Sequence, residues 1–290
     1  MPVIEKLVRF ARKPLPDQKA AIKATFCSIF HTITNAAEQR RLRGLLTGVH
    51  APPRVLQSNE KTYVAYRPDS DVDFKHHPEV AQLSEKWIRN NVMNNAGDLP
   101  RLYALIMNIK QIMGEDIVGD MAELGVYRGN SAASLAYYAR INRRKVLLFD
   151  TFEGFDQRDL VGVDEYKPNA FEDTSLHDVR DLVGDKDVRF IQGRFPESIP
   201  PDLYESRFCL AHIDCDLYEP AKAGLEFFYP RLSPGGLLIV HDYANLYWEG
   251  IKRAVDEFCR TIPERPLVFG DKSGTAMIRK SVNAPLGTLV

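Results

Sequence analysis

The chain has 290 residues, 44% of them hydrophobic and 27% charged, with a formal net charge of −1 at pH 7. That composition fits one large globular domain, or one with a sizeable appendage, and provides no overall field to attract nucleic acid. No apolar run approaches the ~20 residues that span a bilayer, and the opening MPVIEKLVRFARKPLPD is too charged for a secretory core. Cys27, Cys209, Cys215 and Cys259 are scattered without paired spacing, as in a reducing compartment, so a cytoplasmic protein is expected.

The first part reads as helical. Ile22, Phe26, Ile29, Phe30 and Ile33 fall on one helical stripe. The basic cluster RRLR at 40–43 reads as a solvated face, and the polar, Pro-flanked stretch over 51–78 carries few strand signals. An amphipathic helix bearing Val80, Leu83, Trp87 and Ile88 follows. Residues 1–95 are therefore expected to form a helical extension, and 96–290 the main domain.

Near residue 116 the pattern changes. Short apolar runs now alternate with helical segments: IVGDMAELGV, SAASLAYYARI, KVLLFD, SLHDVRDLVG, VRFIQG, RFCLAHIDCD, AKAGLEFFYPRL, GLLIVHD and GIKRAVDEFC. Ser175 and Asp178 have capping-box spacing at one helix start. The alternation predicts βαβ units and a doubly wound, mostly parallel α/β sheet covered on both faces. The end, RPLVFGDKSGTAMIRK, predicts an antiparallel hairpin about Gly-Asp-Lys-Ser-Gly.

In such sheets ligands bind at the carboxyl ends of the strands, where strand order reverses. The first such end is AELGVYRGNSA, where Gly125 and Gly129 permit a tight turn, and Asp150 ends the next strand at a spacing suited to ribose hydroxyls. Glu123 argues against a nicotinamide dinucleotide here. A carboxylate facing a phosphate at about 4 Å costs ~1 kcal/mol in water and ~4 at an effective dielectric of 20. S-adenosylmethionine, with its ammonium and sulfonium, turns that repulsion into attraction. Farther along, Asp214 and Asp216 in HIDCDLYEP read as one strand face, and His241 and Asp242 end GLLIVHD. If those two strands are neighbours, the acids converge as an oxygen-rich set for magnesium or another divalent cation, with the histidine shifting preference towards transition metals. Taken singly, Asp216 reads equally well as serving only the helix after LYEP.

Together AELGVYRGNSA, LLFDTFEGF, HIDCDLYEP, FFYPRLSPGG and VHDY resemble the macrocin/mycinamicin O-methyltransferase family, over roughly residues 95–280. The resemblance implies a class I methyltransferase with a seven-stranded Rossmann-like sheet, S-adenosylmethionine as cofactor, and magnesium-assisted methylation of a hydroxyl, usually on a natural-product sugar. Carried over by position, it implies that Glu123, Leu124, Gly125, Val126 and Tyr127 line the methionine and ribose, with Gly129, Asn130 and Ser131 opening the next helix beside them. Asp150, Thr151 and Phe152 then hold the ribose and adenine side, and Gln192 and Gly193 the adenine. Asp214 matches a metal-binding aspartate and candidate base; His241 and Asp242 stand where the family has paired aspartates, so one metal carboxylate is replaced. Tyr247 and Trp248 are candidate acceptor walls.

The expectation is thus an S-adenosylmethionine-dependent O-methyltransferase acting on a sugar or glycosylated metabolite, with Asp214 and His241 catalytic and Asp214, His241 and Asp242 holding the cation. A homo-oligomer, with no nucleic-acid partner and no membrane span, goes with it. The alternatives are a metal-free enzyme using His241 as general base, and a non-catalytic protein that only binds the cofactor.

Overall fold

The computed structural model describes residues 55–58, 61–64, 78–90 and 98–282. The helical stripe over 22–33, the RRLR cluster and Cys27 lie outside them. The chain divides into two compact units, Met1–Gln82 and Leu83–Val290. In the first, β1 (Val55–Ser58) pairs antiparallel with β2 (Lys61–Val64), two short strands in the stretch where few strand signals were read.

Next comes α1 (Pro78–Asn90), the expected amphipathic helix, with Leu83, Trp87 and Ile88 buried. It is followed by α2 (Leu99–Gly114), which the sequence reading did not anticipate. Its buried residues Leu102, Leu105, Ile106, Ile109 and Ile112 recur at helical spacing and form its core-facing stripe.

The second unit then builds its sheet. β3 (Asp120–Leu124) leads to α3 (Asn130–Ile141), and β4 (Val146–Asp150) to α4 (Leu176–Val183). The Ser175 hydroxyl accepts from the Asp178 amide at 3.1 Å, so the capping spacing starts α4 as read. β5 (Val188–Gln192) and β6 (Phe208–Ile213) follow, then α5 (Tyr218–Arg231), β7 (Leu232–Val240) and α6 (Glu249–Phe258). β8 (Leu267–Val268) and β9 (Ala276–Arg279) close the unit as the predicted antiparallel pair.

The seven strands run in the order β5-β4-β3-β6-β7-β9-β8. All pairs from β5 to β7 are parallel, while β9 joins β7 antiparallel. Every residue of β6 is buried, as a central strand with helices on both faces requires. On one face a cluster of Phe149, Phe195, Phe208, Phe227 and Phe228 packs edge to face, anchoring β4 and β6 against α5. Chain order reverses between β3 and β6, which places a crevice at their carboxyl ends.

Candidate functional site

The strand ladders continue one step past the strand ends. Gly125 N donates to Phe149 O at 2.9 Å, Asp214 N to Leu124 O at 2.8 Å, and His241 N to Ile213 O at 2.9 Å. These bonds bring Gly125, Asp214 and His241 side by side at the sheet edge. The approach is close enough to demand glycine: Gly125 has φ 84, and a Cβ there would lie 2.1 Å from the Asp214 carbonyl oxygen.

Asp150 ends β4 as expected, but its carboxylate is already engaged. Oδ2 accepts from Val126 N at 2.6 Å and Tyr127 N at 2.9 Å, and Oδ1 from Phe152 N at 2.6 Å. The acid therefore shapes two loops while it lines the smaller of two cavities at this edge. Glu123 departs further from the expectation that it faces a cofactor. It is wholly buried in β3, opposite His212 of β6 in the sheet register, and its Oε1 pairs with His212 Nδ1 at 2.7 Å. Burial raises its carboxyl above the usual range despite that bond, and Oε2 has no hydrogen-bond partner. Asn130 is also committed elsewhere: its amide donates to Trp87 O at 3.1 Å and its oxygen accepts from Asn90 at 2.6 Å.

The smaller cavity gathers Leu124, Gly125, Tyr127, Asp150, Thr151, Gly193 and Asp214 of the expected cofactor set. A larger one, about 360 Å³, gathers Val126, Tyr127, Asn130, Ser131, Asp214, His241 and Asp242, with Tyr247 and Trp248 on its wall. Glu123, Gly129, Phe152 and Gln192 line neither. Phe152 is packed inward, and the Gln192 amide donates to Thr151 O at 3.2 Å. Tyr127, Phe171, Asp214 and Asp216 line both cavities, so the two meet at the acids.

There the reading of Asp214 and Asp216 as one strand face is corrected. β6 ends at Ile213, and Asp216 lies beyond it with φ 62; Asp242 lies past β7 with φ 60. Left-handed backbone at both positions aims their carboxyls back at the cluster rather than along a pleat. His241 Nδ1 is held between Asp214 Oδ1 at 2.9 Å and Asp242 Oδ2 at 2.6 Å, and Asn245 donates to Asp242 Oδ1 at 2.7 Å. Asp216 lines both cavities beside Asp214, so it belongs to the cluster and does not serve the following helix alone.

Charge is divided unequally among these groups. Burial and the neighbouring charges of Asp242 and Asp214 push the Asp216 carboxyl well above the usual range. Burial acts the same way on Asp214, yet Arg101 and His241 hold it well below. For His241, burial and Arg101 favour the neutral ring, but the two flanking carboxylates win and raise it to about 9.

Arg101, Trp87 and Asp98 are cavity residues that the sequence reading missed, and Arg101 matters most. It is the third residue of α2, and its guanidinium pairs with Asp214 Oδ2. One signal was available: a cation in a helix's first turn opposes the helix dipole and calls for a carboxylate partner.

The donor set fits a divalent cation. One ligand atom from each of Asp214, His241 and Asp242 lie within 4.8 Å of one another, combining two carboxylates with an imidazole as hard to borderline metals accept. His241 Nε2 is buried with no partner.

Residues 97–276 match the family described as Macrocin-O-methyltransferase (TylF). The chain belongs to that family. Among curated relatives it is 30% identical over 181 residues to the tetracenomycin 4'-O-methyltransferase of Streptomyces olivaceus, covering 56% of this chain and 66% of that one. It is 29% identical over 210 residues to demethyldecarbamoylnovobiocin O-methyltransferase of Streptomyces niveus, covering 63% and 78%. The solved O-methyltransferase NovP superposes with a TM-score of 0.55 at 26% identity, over 62% of this chain and 79% of that one. The calicheamicin methyltransferase CalS11 shares the fold, with a TM-score of 0.51 at 21% identity over 79% and 99%. The family resemblance and the class I methyltransferase sheet expected from the motifs are thereby borne out.

Proposed function

We propose that this protein transfers a methyl group from S-adenosylmethionine to a hydroxyl of a small molecule, a sugar or a glycosylated metabolite. Supporting the acceptor class are the relatives, whose names place their chemistry on natural products. The observation that carries the reading is the meeting of two cavities at Asp214 and Asp216, one beside Asp150 and Gly193 and one walled by Tyr247 and Trp248. On this assignment the first takes the cofactor and the second the acceptor.

The cofactor, when bound, supplies an electrophilic methyl on sulfur. The chain's part is to align a hydroxyl behind it, since positioning supplies much of the rate in such transfers. A hydroxyl donating to Asp214 would keep a lone pair directed towards the cofactor side. As the oxygen takes the methyl and the sulfur–methyl bond breaks, the hydroxyl proton would pass to the Asp214 carboxylate, within the hydrogen-bonded set of Asp214, His241 and Asp242. Those three residues would also hold a divalent cation, which would lower the pKa of the acceptor hydroxyl. The metal-free reading, with His241 as sole base, is favoured by one observation, that Arg101 already supplies Asp214 with a cation, and it requires the neutral ring, which the flanking carboxylates confine to pH values above about 9. Cytoplasmic location, homo-oligomeric assembly and acceptor specificity from residues 1–95 belong to the same proposal.

The test is methyl transfer from S-adenosylmethionine to a panel of glycosylated acceptors, with and without chelator. Transfer abolished by chelation and restored by magnesium or manganese supports the cation. Full transfer in chelator supports the metal-free reading. Cofactor binding without transfer to any acceptor, with added metal, would leave a non-catalytic binding protein.

A further inference from the structure

The geometry points to Arg101 as the resident cation of the carboxylate cluster, standing at Asp214 in the place of a divalent metal and competing with it. This deepens the proposed function and rests on its assignment of Asp214, His241 and Asp242 as the metal donors.

Both Asp214 oxygens are taken. His241 Nδ1 holds Oδ1 at 2.9 Å, and the Arg101 guanidinium holds Oδ2. Asp242 is occupied too, by His241 on Oδ2 at 2.6 Å and Asn245 on Oδ1 at 2.7 Å. A metal binding at Asp214 therefore meets either the histidine, itself one of the proposed ligands, or the like charge of Arg101 on the same carboxylate. Arg101 is the group that can yield without dismantling the donor set.

Several features show that Arg101 is placed and not adventitious. Its side chain is only 11% exposed, deep for a guanidinium. It lies over the Trp87 ring, 5.5 Å from the centroid, an arrangement that favours a cation. It occupies the first turn of α2, where a positive charge opposes the helix dipole, so its placement depends on the acids it faces. Since guanidinium does not lose its proton in proteins, Arg101 offers the cluster its charge at every pH. The second independent mark of a ligand seat is His241, which lines this cavity with its side chain 8% exposed and its buried Nε2 without a hydrogen-bond partner.

Direct binding of Mn²⁺ to the full chain, by calorimetry in the presence of S-adenosylhomocysteine, tests the competition without relying on turnover. Arg101→Gln removes the charge at similar length. It is expected to bind Mn²⁺ at least roughly tenfold more tightly than the wild type, the scale of one charge-assisted hydrogen bond. Arg101→Lys keeps a charge but not the planar fork, and its affinity should fall between the two. Equal or weaker Mn²⁺ binding by an Arg101→Gln protein that retains cofactor binding overturns the proposal. If that variant does not fold, Arg101→Lys decides: affinity unchanged from the wild type overturns it. Should neither wild type nor variants bind Mn²⁺ while all bind S-adenosylhomocysteine, the competition is refuted and the methyltransferase reading stands. A wild type that fails to bind S-adenosylhomocysteine removes that reading, and this proposal with it.

Discussion

Glu123 separates a pillar of the fold from a cofactor ligand. It sits wholly buried between β3 and β6, with Oε1 paired to His212 Nδ1 at 2.7 Å. Glu123→Ala leaves His212 Nδ1 unpaired in a dry environment, a cost of roughly 1–3 kcal/mol. The lost methylene adds about 0.8 kcal/mol. Removing the unpartnered Oε2 offsets part of this, giving a net destabilisation of about 2 kcal/mol. For a domain of this size that lowers the midpoint of thermal unfolding by roughly 4–8 °C. Glu123→Gln keeps the shape and a hydrogen bond to His212, so it should recover at least about half of the loss. Since Glu123 lines neither cavity, S-adenosylhomocysteine should bind both variants within about threefold of the wild type, a difference under ~1 kcal/mol. Unfolding by calorimetry and binding by titration read the two quantities separately. A Glu123→Ala protein that melts like the wild type but binds the cofactor roughly tenfold more weakly would refute the reasoning, and would return Glu123 to the role its sequence position implied.

Two further predictions concern the acids at the strand ends. Asp150→Ala removes the acceptor for three backbone amides, so it should lower the unfolding midpoint as well as weaken cofactor binding by about tenfold or more; a binding loss with unchanged stability would mean the loops hold without it. Asp216→Asn should be mild, because it keeps the shape and removes a carboxyl whose charge burial and its acidic neighbours already disfavour, whereas Asp214→Asn should cut turnover by about a hundredfold or more with cofactor affinity little changed. Comparable losses from the two substitutions would contradict this division of roles.

What the sequence disclosed and what it hid divide along physical lines. The strands of the parallel sheet are legible because each is a short apolar run between helical segments, and β8 and β9 because they flank a turn. Asp150, Asp214, His241 and Asp242 are legible as polar residues that end such runs. The partners of these acids are not, because they depend on register and distance through space. His212 faces Glu123 only once β3 and β6 are known to be neighbours, in one register. Arg101 lies 113 residues from Asp214 in sequence and reaches it from a helix that precedes the sheet. Asp216 was misread because alternation holds only while a strand lasts, and β6 stops at Ile213.

Gly125 shows how closely the turn and the chemistry are joined. In sequence it reads as the glycine of a ligand loop, yet the nearest thing to its absent side chain is the backbone of the next strand end. An alanine Cβ would meet Asp214 O at 2.1 Å and Asp214 C at 2.5 Å, and the residue would keep φ 84. Left-handed alanine alone costs roughly 1–2 kcal/mol, and the clash cannot be relieved by rotating a side chain. The chain has to part β3 from β6, straining the Asp214 N to Leu124 O bond of 2.8 Å. Asp214 then moves relative to His241, although neither has been changed. Gly125→Ala is therefore expected to lower stability and, in the protein that remains folded, to cut methyl transfer by more than cofactor binding falls. If the variant loses only cofactor affinity, with turnover at saturating S-adenosylmethionine unaffected, then Gly125 serves the ligand loop alone and the coupling of the two strand ends is wrong.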